Sequence, residues 1–283
     1  MKAIRVHRYG GPEVLELEDI PIPAPDPDEV LVKVEAAGVG PWDALVRTGK
    51  SGVAQALPLT PGSDIAGVVD HVGANVSAFA AGDAVFGCTN TSFVNGYAGY
   101  ARAKASMIAA APTSINAVEA ASVPVVAVTA WEMLFTHADL KSGETVLIQG
   151  ASGNVGGYAV QLARSAGARV LTAAGNEKVD VVIDTVGGDV QRASFDKLKR
   201  GGRLISSVSP PDADLATRCG VRVAFFIVSV TTEGLERISK LIDAREISVN
   251  VGSVLPLAQA RVAHQMLGGM LHPPGKIVLE LQP

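Results

Sequence analysis

The sequence predicts an α/β protein with a β-rich first part and a parallel-sheet second part, and three observations carry that expectation. Residues 30–35 alternate, with Val30, Val32 and Val34 toward one side and Leu31, Lys33 and Glu35 toward the other, the period of a half-buried strand. From Thr145 the chain reads TVLIQGASGNVGGYAVQLARSAGARVLTAAG, an apolar strand, a glycine-rich turn, a helix and a second apolar strand near Arg169. Continuous apolar strands joined through a helix belong to a parallel sheet covered on both faces. The terminal GKIVLEL alternates again, as a strand able to return to the first part.

The elements follow in order. Pro21, Pro23, Pro25 and Pro27 favour an extended lead-in that wraps a sheet edge, and their composition fits a plain linker equally well. Strands are expected at 65–72, 84–86 and 97–103, with turns at 73–75 and 81–83. The texture changes near Ser122. After the first parallel strand, Val155, Ala159, Leu162 and Ala166 form one stripe of a helix. Two more apolar strands are expected at 179–185 and 202–208, with a helix at 191–199 between them. A strand at 222–228 and a helix at 232–244 complete the second part.

Composition bounds the function. With 283 residues there is room for about two domains of roughly 150 residues each. Hydrophobic residues make up 48% and charged ones 18%, a globular balance. Lys plus Arg total 24 against 28 Asp plus Glu, and the resulting charge of −4 has the wrong sign for a general nucleic-acid or anionic-membrane surface. Cys88 and Cys219 lack C-x-x-C spacing, which predicts neither a disulfide scaffold nor a thiolate zinc site and fits a reducing, cytoplasmic setting. The start turns polar at once, and the most apolar stretch, 120–131, is too short for a bilayer and contains Pro124, so no membrane or targeting segment is expected.

The turn after the first parallel strand carries the chemistry. Gly150, Gly153 and Gly156 form G-x-x-G-x-x-G, with Gly157 behind them. Such glycines permit positive φ and close backbone approach, so that the amides of Ala151, Ser152, Asn154 and Val155 at the helix start can hold a pyrophosphate. A glycine triplet alone also makes an ordinary tight turn; its place between strand and helix favours a dinucleotide. Past the second strand stand Thr172, Ala173, Ala174, Gly175 and Asn176, with no acid for the ribose of NAD. NADP is therefore favoured, with Ala174 and Asn176 at its adenosine edge. Lys178 could meet a phosphate or simply be solvated.

MKAIRVHRYGGPEVLELEDIPIP, AAGVGPWDALVRTG, PGSDIAGVVDHVG, GDAVFG, GYAGYA, VTAWEML, GASGNVGGYAVQLA, DVVIDTVGG, GGRLISSVS and GKIVL occur in an order that resembles the zinc-independent quinone oxidoreductase branch of the medium-chain dehydrogenase/reductase superfamily. The resemblance implies a GroES-like catalytic domain made from residues 1–122 and 251–283, with a Rossmann NADP-binding domain at 123–250 inserted between them. It also implies a homodimer and NADPH-dependent reduction of a quinone or other conjugated enone where the two domains meet. Thr129 would contact the nicotinamide side, or else cap or fill a helix; Val186, Gly187, Ser207, Val208 and the backbone near Phe226 would line the cofactor's path. Asp43 and Tyr97 are the candidate proton donors, each equally able to brace a loop or pack, and solvent can serve in their place. Trp42, Leu45, Phe93, Tyr97 and Trp131 would form an apolar wall for a planar substrate, or ordinary core.

The departures matter as well. Ser63 and Asp64 stand where zinc-dependent relatives carry His and Glu, and no three-ligand set assembles, so zinc is not expected. His71 reads as a strand-surface residue. Gly40 replaces a usual Asn and Leu45 a substrate-facing Tyr, which opens two alternatives: a non-catalytic NADPH-binding protein, or an enoyl or ketone reductase for one biosynthetic intermediate. Finally, only about four residues, 175–178, link the second strand to DVVIDTV. Parallel strands on opposite sides of the first strand require over 20 Å, and four or five residues reach about 17 Å. The family has a further helix and strand there. The expectation is a loss of a few tens of residues between Asn176 and Glu177, the alternative being an antiparallel hairpin at 175–178.

Overall fold

The computed structural model describes residues 1–53, 56–173 and 175–281. The chain divides into two units, one formed by Met1–Val125 with Val230–Pro283 and the other by Val126–Ser229. The first unit opens with an antiparallel pair, β1 (Lys2–Arg5) and β2 (Glu16–Asp19). Next come β3 (Glu29–Val39), α1 (Pro41–Arg47), β4 (Asp64–Val72), β5 (Ala84–Cys88), β6 (Tyr100–Lys104), β7 (Ile108–Ala110) and α2 (Ala117–Ala121). In β3, Val30, Val32 and Val34 are buried while Lys33 and Glu35 are exposed, as the alternation requires; Leu31 departs from it and is buried too.

Helix α3 (Pro124–Trp131) leads into the second unit, which contains β8 (Thr145–Gln149), α4 (Asn154–Ser165), β9 (Arg169–Leu171), β10 (Val179–Asp184), α5 (Gly188–Ser194), β11 (Leu198–Ser206), α6 (Ala213–Cys219) and β12 (Arg222–Phe225). Its sheet is parallel throughout, in the order β12-β11-β10-β8-β9. Val146, Leu147, Ile148, Val181, Val182 and Ile183 are buried, the continuous apolar character expected of a sheet covered on both faces. The helix expected at 191–199 begins earlier, because Gly187, at φ 79°, caps α5 and lets it start at Gly188. Leu198 already belongs to β11.

The chain returns through α7 (Thr232–Asp243), β13 (Val251–Pro256), α8 (Ala260–Leu267) and β14 (Lys276–Glu280). The return falls at Val230 rather than at residue 251, because α7 is anchored in the first unit at both ends. The Thr232 hydroxyl donates to the carbonyls of Ala105 and Ile108, at 3.1 and 2.7 Å, and the Asp243 carboxylate accepts from the amides of Thr113 and Ser114. Strand β14 pairs with residues 36–39 of β3, and β6 with residues 29–33 along the same edge; β4 covers the other. The terminal strand thus completes the first unit's sheet.

The short link joins strands that stay parallel. Strands β9 and β10 are both parallel to β8, on its two sides, so the hairpin does not form. Strand β9 stops at Leu171, level with Leu147, and β10 starts only about three residues lower. Seven residues, 172–178, separate them, a reach of about 24 Å, whereas the drop and two strand spacings need about 14 Å. Cutting the second strand to three residues is what makes the short connection possible. Among the described residues, no helix is long and apolar enough to cross a membrane.

Candidate functional site

In the second unit the glycine turn joins β8 to α4. Gly150 takes φ 76°, where a Cβ would lie 2.3 Å from the Thr185 hydroxyl oxygen. At Gly156 a Cβ would lie 2.1 Å from the Gly150 carbonyl oxygen, so that glycine lets the first turn of α4 press against the strand end. Gly153 is the N-cap, in extended conformation, and its own amide donates to Gly150 O at 2.9 Å. The first amides of a helix have no partner within it. Ser152 and Gly153 are exposed, and Ala151, Asn154 and Val155 are half-buried around them. A ring of amides at the positive end of a twelve-residue helix, open on one side, fits a pyrophosphate.

Beside that turn stands an arrangement that sequence reasoning missed. Asp184, the last residue of β10, is fully buried. Its carboxylate accepts from the amides of Val186 and Gly187, at 3.1 and 2.9 Å, from the Gln191 amide group at 2.9 Å and from the Ser206 hydroxyl at 2.8 Å. Ser206 Oγ in turn accepts from the amides of Val208 and Ser209. One buried carboxylate thereby sets both loops at the carboxyl ends of β10 and β11. Val186 and Val208, 46% and 48% exposed, are held out as two aliphatic tips; Ser207 is half-buried, and Gly187 is buried where a Cβ would lie 3.0 Å from Val208 Cγ1. The signal was the acid at the end of DVVID, where an apolar strand would otherwise continue.

The other expected cofactor residues are more scattered. Thr129 is buried in α3, and Trp131 at the end of the same helix stacks at a tilt on Phe135, with centroids 4.4 Å apart. Phe226 is half-buried against His137, 4.1 Å between centroids. Asn176 is exposed on the link; Ala174 lies outside the described residues.

The first unit contains the proton-donor candidates, and it buries them. Asp43 and Tyr97 are each 0% exposed. The Tyr97 hydroxyl and the Gly40 amide both donate to Asp43 Oδ2 at 2.8 Å, so the tyrosine and the carboxylate form an interior pair rather than two groups facing a cleft. Burial lifts the Asp43 carboxyl to about 7 and pushes the Tyr97 phenol well up. Next to them, Arg47 Nη1 donates to His264 Nδ1 at 3.0 Å, and Tyr97 meets the His264 ring edge-on at 5.9 Å. Burial, with Arg47 adding to it, lowers His264 to about 3, so the imidazole is neutral and accepts. Of the apolar-wall candidates in this unit, Leu45 is exposed, Phe93 half-buried in a left-handed turn at φ 56°, and Trp42 half-buried. A cavity of about 190 Å³ in this unit is lined by Arg5, Thr60, Asn95, Tyr100 and Arg102 among others, and by none of the substrate candidates.

A second buried group involves the two residues at the zinc-relative position. Lys276 Nζ donates to Asp64 Oδ2 at 2.9 Å, and both side chains are almost wholly buried. The same ammonium lies 4.4 Å over the Trp42 ring, whose Nε1 donates to Ser63 Oγ at 3.1 Å. Cys88 Sγ approaches Asp64 at 3.8 Å, with burial and the neighbouring carboxylate pushing its thiol up. Here the cation facing the carboxylate is an ammonium, and this donor set does not fit a metal: Asp64 is taken and the thiol is held protonated. Among the described residues, only His7, Glu16 and Glu18 bring three possible ligand atoms within 4.8 Å, on the exposed β1–β2 surface, where His7 already bonds Glu18 at 2.6 Å.

Two family descriptions match the chain: "Alcohol dehydrogenase GroES-like domain" over residues 26–113 and "Zinc-binding dehydrogenase" over residues 158–279. The chain is 42% identical to the human quinone oxidoreductase over 184 residues, a stretch that spans 65% of this chain and 55% of the human protein. Against the mouse quinone oxidoreductase it is 32% identical over 323 positions, covering 98% of this chain and 96% of the relative. With 283 residues here, 323 − 283 leaves at least 40 of those positions opposite no residue of this chain. Among solved structures, a mycobacterial protein complexed with NADPH superposes with a TM-score of 0.86 at 29% identity over the whole of both chains.

Proposed function

Since the chain belongs to the quinone oxidoreductase branch of the medium-chain dehydrogenase/reductase superfamily and is an oxidoreductase, we propose that it transfers hydride from NADPH to a quinone or other conjugated enone without zinc. The observation that carries this reading is the open amide ring of Gly150–Gly156 at the start of α4, beside loops fixed by Asp184. It is supported by the NADPH bound to the mycobacterial relative. When bound, NADPH supplies the hydride to the β-carbon of the acceptor.

The chain's own part is position and exclusion of water. Amides of the Ala151–Gly156 segment hold the pyrophosphate. Val186 and Val208 offer apolar surface to the cofactor's path, and the Asp184–Ser206 hydrogen bond keeps their loops from drifting. Asp43 and Tyr97 serve as braces for the first unit's interior, so the proton that completes reduction comes from solvent. The zinc-independent part of the proposal is supported by Lys276, which neutralises Asp64 from inside the fold. The homodimer and the cytoplasmic setting are proposals that rest on the family and on the two free cysteines.

NADPH oxidation measured on a panel of quinones and enones, with and without a chelator, tests the reading. Turnover on at least one acceptor, unchanged by the chelator, is expected. Tight dinucleotide binding with no turnover on any acceptor would instead assign a non-catalytic NADPH-binding protein, and loss of activity on chelation would overturn the zinc-independent step.

A further inference from the structure

The cavity of about 190 Å³ in the first unit has a charge pattern of its own. Strand β1 forms one side of it. Ala3 bridges to Ala98 and Val6 to Leu59, and Ile4 N donates to the Tyr97 carbonyl at 2.9 Å, so Arg5 is held between the 58–60 and 97–99 segments. Arg5 is half-buried, and its Nη1 donates to the Thr60 hydroxyl and its Nη2 to the Pro58 carbonyl, both at 3.1 Å. Both acceptors are neutral, and among the described residues no carboxylate pairs with this guanidinium. A guanidinium has five N–H donors; two are spent here, and Nε is buried without a partner.

Arg102, also on the wall, is already neutralised: its Nη1 meets Asp26 at 3.1 Å and its Nε meets Glu29 at 3.5 Å. None of the lining residues is an acid. In a chain of net charge −4, the cavity thus contains one guanidinium whose charge is balanced and one whose charge is not.

The rest of the lining decides what kind of anion fits. Ala98 and Ala101 are buried, Ile20 and Pro23 half-buried, and the alternating prolines that follow β2 supply Pro21 and Pro23 as a stiff apolar wall. Tyr100 adds a ring and a hydroxyl from the same face of β6 as Arg102. Asn95, exposed and tied by its amide to the Thr60 carbonyl at 2.8 Å, marks the mouth. An apolar cavity of about 150 Å³ takes benzene, so this one has room for a ring and a carboxylate. A phosphate would bring a second charge with no free cation to balance it, and would leave the apolar wall bare.

We propose that this cavity binds a small monocarboxylate bearing a single ring, with the carboxylate on Arg5 and the ring against Ile20, Pro23 and Tyr100. The carboxylate oxygens accept from the unspent guanidinium donors, a charge-assisted pairing.

Amide spectra (¹H–¹⁵N) of the full chain, titrated with sodium benzoate, with uncharged benzamide and with inorganic phosphate, test it. Benzoate should give saturable shifts at Ala98, Tyr100, Ala101 and Arg102, with a Kd of about 1 mM or tighter. Benzamide and phosphate should bind there about tenfold more weakly or less. Arg5→Gln should weaken benzoate about tenfold and bring it level with benzamide. The unaltered chain alone can overturn the proposal. No saturable shift at these amides up to about 20 mM benzoate removes the site, as do shifts confined to Gly150–Gly156. Benzamide binding as tightly as benzoate removes the role of Arg5, and phosphate binding more tightly removes the carboxylate.

Discussion

The glycine turn of the second unit and the polar interior of the first are built in opposite ways. The turn is backbone from one short stretch, Gly150 to Gly156, and it works because side chains are absent where a Cβ would meet Gly150 O or Thr185. The interior is all side chains from distant stretches: Asp43 with Tyr97, 54 residues apart, Asp64 with Lys276, 212 apart, and Arg47 with His264, 217 apart. A site of the first kind fails when atoms are added; one of the second fails when atoms are removed. This contrast orders the expected effects of mutation.

The largest effect belongs to the buried ion pair. Lys276→Met leaves the Asp64 carboxylate desolvated without its cation, and should cost about 3–5 kcal/mol in urea denaturation. The double variant with Asp64→Asn should recover most of that loss. A loss below about 1 kcal/mol, the range of an exposed pair, would show that the interior is wet and would erase the contrast. Gly156→Ala comes next, at about 1–3 kcal/mol, because the added methyl must displace the Gly150 backbone. It should also weaken NADPH binding, measured by titration, where Lys276→Met should not.

A smaller effect is a matter of pH, and two groups oppose each other. Asp43, raised to about 7 from 3.8, keeps its proton in the folded chain after the unfolded chain has lost it; its contribution is full below 3.8 and is lost as pH rises through about 7. His264, lowered from 6.5 to about 3, contributes fully above 6.5 and loses that contribution as pH falls toward 3. Between 3.8 and 6.5 the slopes cancel in part. Urea midpoints across this window should therefore tilt downward toward neutral pH in His264→Gln and upward in Asp43→Asn, and parallel profiles in all three proteins would break the assignment.

The same contrast explains what could be read in advance. The β8–α4 turn, the parallel strands and the returning terminal strand are local patterns of period and glycine spacing, and all were visible in the sequence. Asp184 could have been found, since an acid closing an apolar strand must be satisfied by something. The partners of Asp43 and Asp64 could not, because nothing near either residue in sequence announces Tyr97 or Lys276. Between the roles left open for Asp43 and Tyr97, proton donor or brace, the sequence could not choose for that reason: the segment position is legible, but not the side on which each residue packs. Nor was the length of the second strand legible: β9 has only three residues, and seven connect it to β10.

That shortened strand also bears on solubility. An edge strand offers unpaired amides and carbonyls on which another chain can stack, a hazard that grows with the length of the edge. With three residues and a charged pair, Arg169 and Glu177, at its base, β9 presents too little open ladder for another chain to nucleate on. So short an edge strand leaves little open ladder on that side of the sheet.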